Sequence, residues 1–252
     1  FSRALKMMRD VWLCAKGQPF ILAGSGTLAM DMAGANLTEP GDKVLVISTG
    51  YFGERFADLF KRYGADVKVL RAKPGKMVSL SAIEQELATK QYKIMSFTHV
   101  DTSTAVRVDA KTMGLLGKQY DVLTILDGVC SVAGEEIRQE EWGLDVVLTA
   151  SQKAIGVPPG LALLVASQKA LQKFEKRETP VQNYYADWTN WLPIMRAYEN
   201  LKPSYFGTPP VNLIEALEVS LTQILDEGMM ARFARHEKYA KAIRSALLTM
   251  GL

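Results

Sequence analysis

Short apolar runs alternate with longer amphipathic stretches along this chain. Continuous or alternating apolar runs predict strands, and apolar positions spaced three and four apart predict helices. Strands are expected over residues 19–23, 43–48, 67–70, 93–97, 122–126, 146–149 and 162–165. Helices are expected over 2–16, with Leu5, Met8, Val11 and Trp12 on one face, and over 27–37. Two more fall over 52–63, with Phe56, Leu59 and Phe60 inward, and near 111–119. Ser81 and Glu84 have the spacing of a capping box that opens a further helix.

Strands that alternate with helices imply an α/β fold, a mostly parallel sheet lying between helices. In such sheets ligands gather at the carboxyl ends of the strands. Residues 177–210 break the rhythm with Pro180, Pro193, Pro203, Pro209 and Pro210 and many aromatics. An irregular stretch of that length inside a compact protein is usually functional or interfacial. Helical patterns over 211–225 and 229–250 follow, the second long enough to leave one domain and lead into another. The expected division is a large domain over 1–227, then a linking helix and the start of a small C-terminal domain over 228–252.

Composition narrows the classes. The 252 residues are 48% apolar and 23% charged, with a net charge of +3 that is spread along the chain. No dense basic block points to nucleic acid, and no apolar run reaches the length of a membrane span. Cys14 and Cys130 make no disulfide framework, which points to a reducing compartment. No metal cluster is expected. The chain opens on Phe1 inside an amphipathic pattern and stops where a strand is expected, so both termini are read as cut. The location is then intracellular, with peroxisome and cytoplasm left open.

Four places carry candidate chemistry, each just after an expected strand. At Gly24-Ser25-Gly26-Thr27 a small turn leads into a helix, where free N–H groups and the helix dipole favour an anion. The same turn also serves as plain structure, and its spacing is neither a Walker loop nor the dinucleotide fingerprint. Asp127 closes an apolar strand, where a buried carboxylate wants a cation. A protonated pyridine nitrogen, a metal or a helix cap would each answer. Lys153 lies between a strand and a turn rich in proline and small residues, with little room to reach solvent. Desolvation there would lower its amine pKa, as Schiff-base chemistry requires. Ser-Gln-Lys-Ala recurs at Ser167 to Ala170 in a charged setting that reads as a solvated helix start, so the tetrapeptide alone decides nothing. The fourth place is the polar cluster over 98–104.

The order is a phosphate-type turn, a hydroxyl cluster, an Asp and then a Lys one strand later. It is the plan of fold-type I pyridoxal-phosphate (PLP) enzymes. The strings GSGT, STGYFGERFAD, THVDTSTAV, LDGVCS, EWGLDVVLTASQKAIGVPPG and YFGTPPV closely resemble the alanine–glyoxylate / serine–pyruvate aminotransferases, in order and spacing, over essentially the whole chain. Through THVDTSTAV the fungal alanine–glyoxylate enzymes look nearest. SQKA with its PPG turn is specific, whereas GSGT by itself is not.

The resemblance implies that Lys153 attaches pyridoxal 5'-phosphate and shuttles the proton, and that Asp127 keeps the pyridine nitrogen protonated. Ser25, Gly26 and Thr27 would bind the phosphate with help from Gln152. Phe52 stands where the family often has a stacking Trp, and Thr102 where a Ser usually meets the ring substituents. Tyr205 and Thr208 match residues that reach the neighbouring subunit's phosphate, which implies a homodimer with shared active sites. The implied reaction passes an amino group from alanine, or serine, to glyoxylate, giving glycine. The family's substrate-carboxylate arginine would lie beyond Leu252, so these 252 residues alone are expected to lack useful turnover.

Two rivals stand beside this reading. Cysteine desulfuration needs a reactive cysteine on a mobile loop, whereas Cys130 is expected to pack as a small apolar residue. A phosphate- or nucleotide-binding oxidoreductase would use Gly24 to Thr27, but no acidic ribose ligand ends the next strand. His236 is expected on a helix surface.

Overall fold

A computed structural model describes residues 1–251. In chain order the elements are α1 (Ser2–Val11), β1 (Gln18–Ala23), α2 (Gly26–Leu37), β2 (Lys43–Ser48), α3 (Tyr51–Arg62), β3 (Asp66–Arg71) and α4 (Leu80–Leu87). Then come β4 (Ile94–Thr98), β5 (Val100–Asp101), β6 (Val106–Arg107), α5 (Ala110–Gln119), β7 (Leu123–Asp127), α6 (Gln139–Trp142) and β8 (Val146–Ala150). The last are β9 (Leu161–Ala166), α7 (Gln168–Glu175), α8 (Trp188–Glu199), α9 (Val211–Glu227) and α10 (Met229–Thr249).

One seven-stranded sheet runs in the order β1-β9-β8-β7-β4-β2-β3. Its central strands β4, β7 and β8 are buried at every position, which is why they read as mainly apolar runs. β3 closes one edge and stays half-exposed, with polar residues interleaved. Pairing is parallel from β3 through β8, and β9 alone runs against its neighbours β8 and β1. The cause is local: only the turn over 151–160 joins β8 to β9, too short for a parallel crossover. The carboxyl ends of β1, β2, β4, β7 and β8 therefore share one edge of the sheet. Helices flank the sheet, with α2 against β8 and β9, α3 against β2 and α5 against β7.

Four expectations need correction. α1 ends at Val11 rather than near Lys16, because Leu13 turns left-handed (φ 50°) and Cys14 N donates back to Arg9 O. The cap of α4 is Ser79, not Ser81; Ser79 Oγ accepts from Ala82 N at 3.3 Å. The stretch over 177–210 is not irregular throughout, since it holds α8. Asp187 caps that helix, Trp188, Trp191, Leu192, Ile194 and Met195 form its buried face, and Pro193 points to solvent. Burial of that face outweighs the hydrogen bond that proline forgoes. Finally, the polar cluster over 98–104 contains the short hairpin strand β5, paired with β6. Among the described residues no helix is long and apolar enough to cross a membrane.

Candidate active site

The turn after β1 enters α2 through Ser25, in extended conformation (φ −121°), whose hydroxyl does not cap its own helix. The first-turn N–H groups of a helix have no intrahelical partner, so those of α2 are open to an anion. Gly26 packs closely here: a Cβ at that position would sit 2.8 Å from Val129 Cγ2, so a larger residue would have to push that side chain aside. Thr27 Oγ1 accepts from Arg55 Nη1 at 3.1 Å, leaving the Thr27 hydroxyl proton free to donate outward.

The turn after β7 holds the charged centre. Asp127 is buried, and its Oδ1 accepts from Val129 N at 3.0 Å while its Oδ2 accepts from Thr98 Oγ1 at 3.4 Å. Burial nevertheless pushes this carboxyl from 3.8 up to about 6, with the nearby Asp101 charge adding to the rise. Among the described residues no cation pairs directly with Asp127, and the Arg55 charge offsets the rise only in small part. Asp101 is also buried, yet it accepts from Phe52 N, Ser103 N and Ser103 Oγ, and so pins the start of α3 to the β5 turn.

A cavity of about 40 Å³ is lined by Phe52, Thr98, Val100, Thr102, Asp127, Val129, Cys130 and Lys153. Four of the residues expected from sequence therefore meet there: Phe52, Thr102, Asp127 and Lys153. Ser25, Gly26 and Thr27 stand outside that lining, and Gly26 adjoins it through Val129. Gln152 is exposed beside Lys153 and does not line the cavity. Tyr205 and Thr208 are not brought to it either; their hydroxyls lie 3.3 Å from each other on the surface.

Lys153 differs from expectation in one respect. Its side chain is exposed, so the chain's own burial does not supply the desolvation read from the turn. The two Ser-Gln-Lys-Ala copies part clearly. In the first, Ser151 Oγ donates to Pro158 O at 2.7 Å and accepts from Leu161 N at 3.2 Å, folding the lysine turn. In the second, Ser167 caps α7 and Lys169 pairs with Asp121 at 2.9 Å, as a solvated helix start should.

Two further expectations change. Cys130 is half-buried in the cavity wall, with its Sγ 2.8 Å from Thr102 Oγ1, rather than packed as an apolar residue. His236 is partly buried against Gly134, not on an open helix surface. Sequence reading also missed Val129 and Arg55, and it took Thr98 only as part of the polar cluster over 98–104. Thr98 had a signal, being the polar end of a strand that neighbours the Asp127 strand; Arg55 had none beyond its place in the α3 pattern.

The comparison that decides the family is a match to "Aminotransferase class-V" across residues 12–250. The chain belongs to the class-V aminotransferases. It is 42% identical to alanine–glyoxylate aminotransferase 1 of Saccharomyces cerevisiae, over 98% of this chain and 67% of that protein. It is 40% identical to an uncharacterized aminotransferase of Methanocaldococcus jannaschii, over 98% of this chain and 63% of that one. The crystal structure of an alanine–glyoxylate aminotransferase from Nostoc sp. superposes with a TM-score of 0.92 at 33% identity, covering 99% of this chain and 65% of that one. The chain thus spans about two thirds of the length of these relatives.

Class-V aminotransferases are pyridoxal-phosphate proteins, and the donor set of this one fits that group. The uncompensated Asp127 carboxylate matches a ring nitrogen that carries a proton. The open N–H groups of α2 match a phosphate, the Phe52 face matches a ring, and the Lys153 amine matches an aldehyde.

Proposed function

We propose that this class-V aminotransferase moves the amino group of alanine, or alternatively serine, to glyoxylate. The products are glycine with pyruvate or hydroxypyruvate. The observation that carries the reading is that Asp127 and Lys153 wall one cavity with Phe52 and Thr102 between the turns of neighbouring strands. Glyoxylate as acceptor rests on the likeness to the yeast and Nostoc enzymes.

Pyridoxal phosphate, when bound, supplies an aldehyde that receives the amino group and a ring that holds the electron pair left on the substrate α-carbon. The remaining work falls to this chain. Asp127 keeps the ring nitrogen protonated, held for that task by Thr98 and the Val129 N–H. Lys153 would hold the aldehyde through its amine and, with that amine free, would move a proton at the substrate α-carbon. Ser25, Gly26 and Thr27 would hold the phosphate at the start of α2 with help from Gln152, and Phe52 would offer its face to the ring. Thr102 meets the ring substituents from the cavity wall.

The same reading includes a homodimer in which the partner subunit's Tyr205 and the partner subunit's Thr208 reach the phosphate. Their exposed hydroxyls, turned toward each other and to solvent, support it. It also includes a large domain over 1–227 and a linking helix from 228, supported by the break at Gly228 (φ 83°). A reducing compartment, cytoplasmic or peroxisomal, suits the free Cys14 and Cys130.

The test is a half-reaction in the full-length protein. Alanine should shift the absorbance of the lysine-bound cofactor to that of the amine form, and glyoxylate should reverse the shift with glycine as product. No shift with alanine or serine would rule the reading out.

A further inference from the structure

α10 is seated by its first turns. Met229 and Phe233 are buried, whereas Ile243, Leu248 and Met250 at and beyond its far end are exposed. Between the two buried residues stands Arg232, whose side chain is only 13% exposed. Its Nε donates to Ala133 O at 2.6 Å and its Nη2 to Ala154 O at 2.6 Å. Its Nη1 donates to Glu227 Oε2 at 2.9 Å, and Arg235 holds the same carboxylate from the other side.

The two carbonyls belong to the turns that carry the cavity's charged residues. Ala154 follows Lys153 directly, and Ala133 lies in the turn that continues from Asp127. Ala133 is itself left-handed (φ 65°), a conformation that a side-chain-bearing residue keeps only when its surroundings hold it. The turns touch at the next residue, where a Cβ on Gly134 would stand 3.2 Å from Ala154 Cβ. α9 adds a second hold on the lysine turn through Ser220 Oγ, which donates to Ile155 O. A long exposed side chain such as Lys153 takes its aim from its backbone, and here that backbone is fixed by a planar guanidinium fork with three acceptors.

We infer that Arg232 is a positioning residue for Lys153: it clamps the turn after Asp127 to the lysine turn and makes their spacing depend on how α10 is seated. This rests on the proposed role of Lys153. Arg232 is not among the residues that line the cavity; it sets where the amine stands relative to the carboxylate. Lysine in its place offers a single point charge and cannot hold two carbonyls and a carboxylate in one geometry.

The experiment measures how fast cofactor-free, full-length protein captures added pyridoxal phosphate at Lys153, trapped by borohydride and quantified by peptide mapping across pH. R232K and R232M are compared with R235M, which loosens Glu227 but leaves both turns held; melting temperature is recorded for each. Misplacing a reacting group by about 1 Å costs on the order of 10²-fold. R232K should therefore capture ten- to a hundred-fold more slowly while melting within a few degrees of wild type. The pH midpoint should stay in place as the plateau falls, and R235M should capture normally. Wild-type capture by folded R232K would overturn the inference, as would rates that simply follow melting temperature across the three variants. Failure of the wild-type protein to label at Lys153 would instead remove the functional reading on which the inference stands.

Discussion

Thr98 and Asp127 are register partners across β4 and β7, and the threonine hydroxyl donates to the carboxylate. Parallel pairing thus delivers to Asp127 one of the two hydrogen bonds that hold its charge. Thr98→Val keeps the shape and removes the donor. The carboxyl should then rise further above about 6, since burial already pushes it there. At 3.4 Å this hydrogen bond is long, so its loss should cost about 0.5–1.5 kcal/mol and kcat at neutral pH should fall roughly two- to tenfold. KM should change little, because the hydroxyl meets Asp127 rather than the substrate. A kcat–pH profile checks both points; an unshifted profile would release Thr98 from this role.

Asp127→Asn separates stability from chemistry. The folded carboxyl stands at about 6 against an ordinary 3.8. A raised acid is favourable to folding below 3.8 and loses that contribution as pH climbs through 6, by about 3 kcal/mol when fully ionised. Without cofactor, the Asn variant should therefore be more stable than wild type at pH 8 and converge with it near pH 3.5. With cofactor, it should still bind but turn over poorly, because an amide cannot keep the ring nitrogen protonated. Denaturant melts at the two pH values, beside a rate assay, read both effects.

His99 has the opposite pH sign. It is buried, and desolvation lowers it from 6.5 to about 3. Its neutral form contributes stability fully above 6.5, and that contribution drains away as pH falls toward 3. Between 3.8 and 6 it therefore opposes Asp127, and wild-type protein shows only the difference. His99→Gln should flatten the acid limb of the stability–pH curve, which urea titrations from pH 7 to 4 would resolve.

Gly26→Ala should crowd Val129, whose N–H holds Asp127 and whose side chain walls the cavity. Overpacking of this kind costs roughly 1–3 kcal/mol. Cofactor affinity should drop about tenfold or more, as measured by equilibrium dialysis. Unchanged affinity would show that α2 shifts freely at its start.

The sheet was legible because its central strands are buried on both faces and read as mainly apolar runs, and its edge strand β3 alternates apolar with polar residues. Thr102, Asp127 and Lys153 stand just past such runs, where a parallel sheet opens its ligand edge, whereas Phe52 came only through the resemblance. α8 was hidden by Pro193, whose effect on periodicity is the same whether it breaks a helix or faces solvent from within one. Arg232 was hidden for another reason: its acceptors are the backbone carbonyls of Ala133 and Ala154, and nothing in a side-chain pattern announces a carbonyl partner. The exposure of Lys153 also escaped, since a turn of proline and small residues limits its backbone without covering its side chain.

Reduction of the pyridoxal-phosphate-loaded, full-length protein with borohydride, followed by peptide mapping, bears most directly on the central assignment. Lys153 shares a cavity with Asp127, whereas Lys169, in the same tetrapeptide, is engaged by Asp121 at 2.9 Å. The pyridoxyl group should appear on the peptide that contains Lys153. Its recovery on Lys169, or on neither, would contradict the assignment.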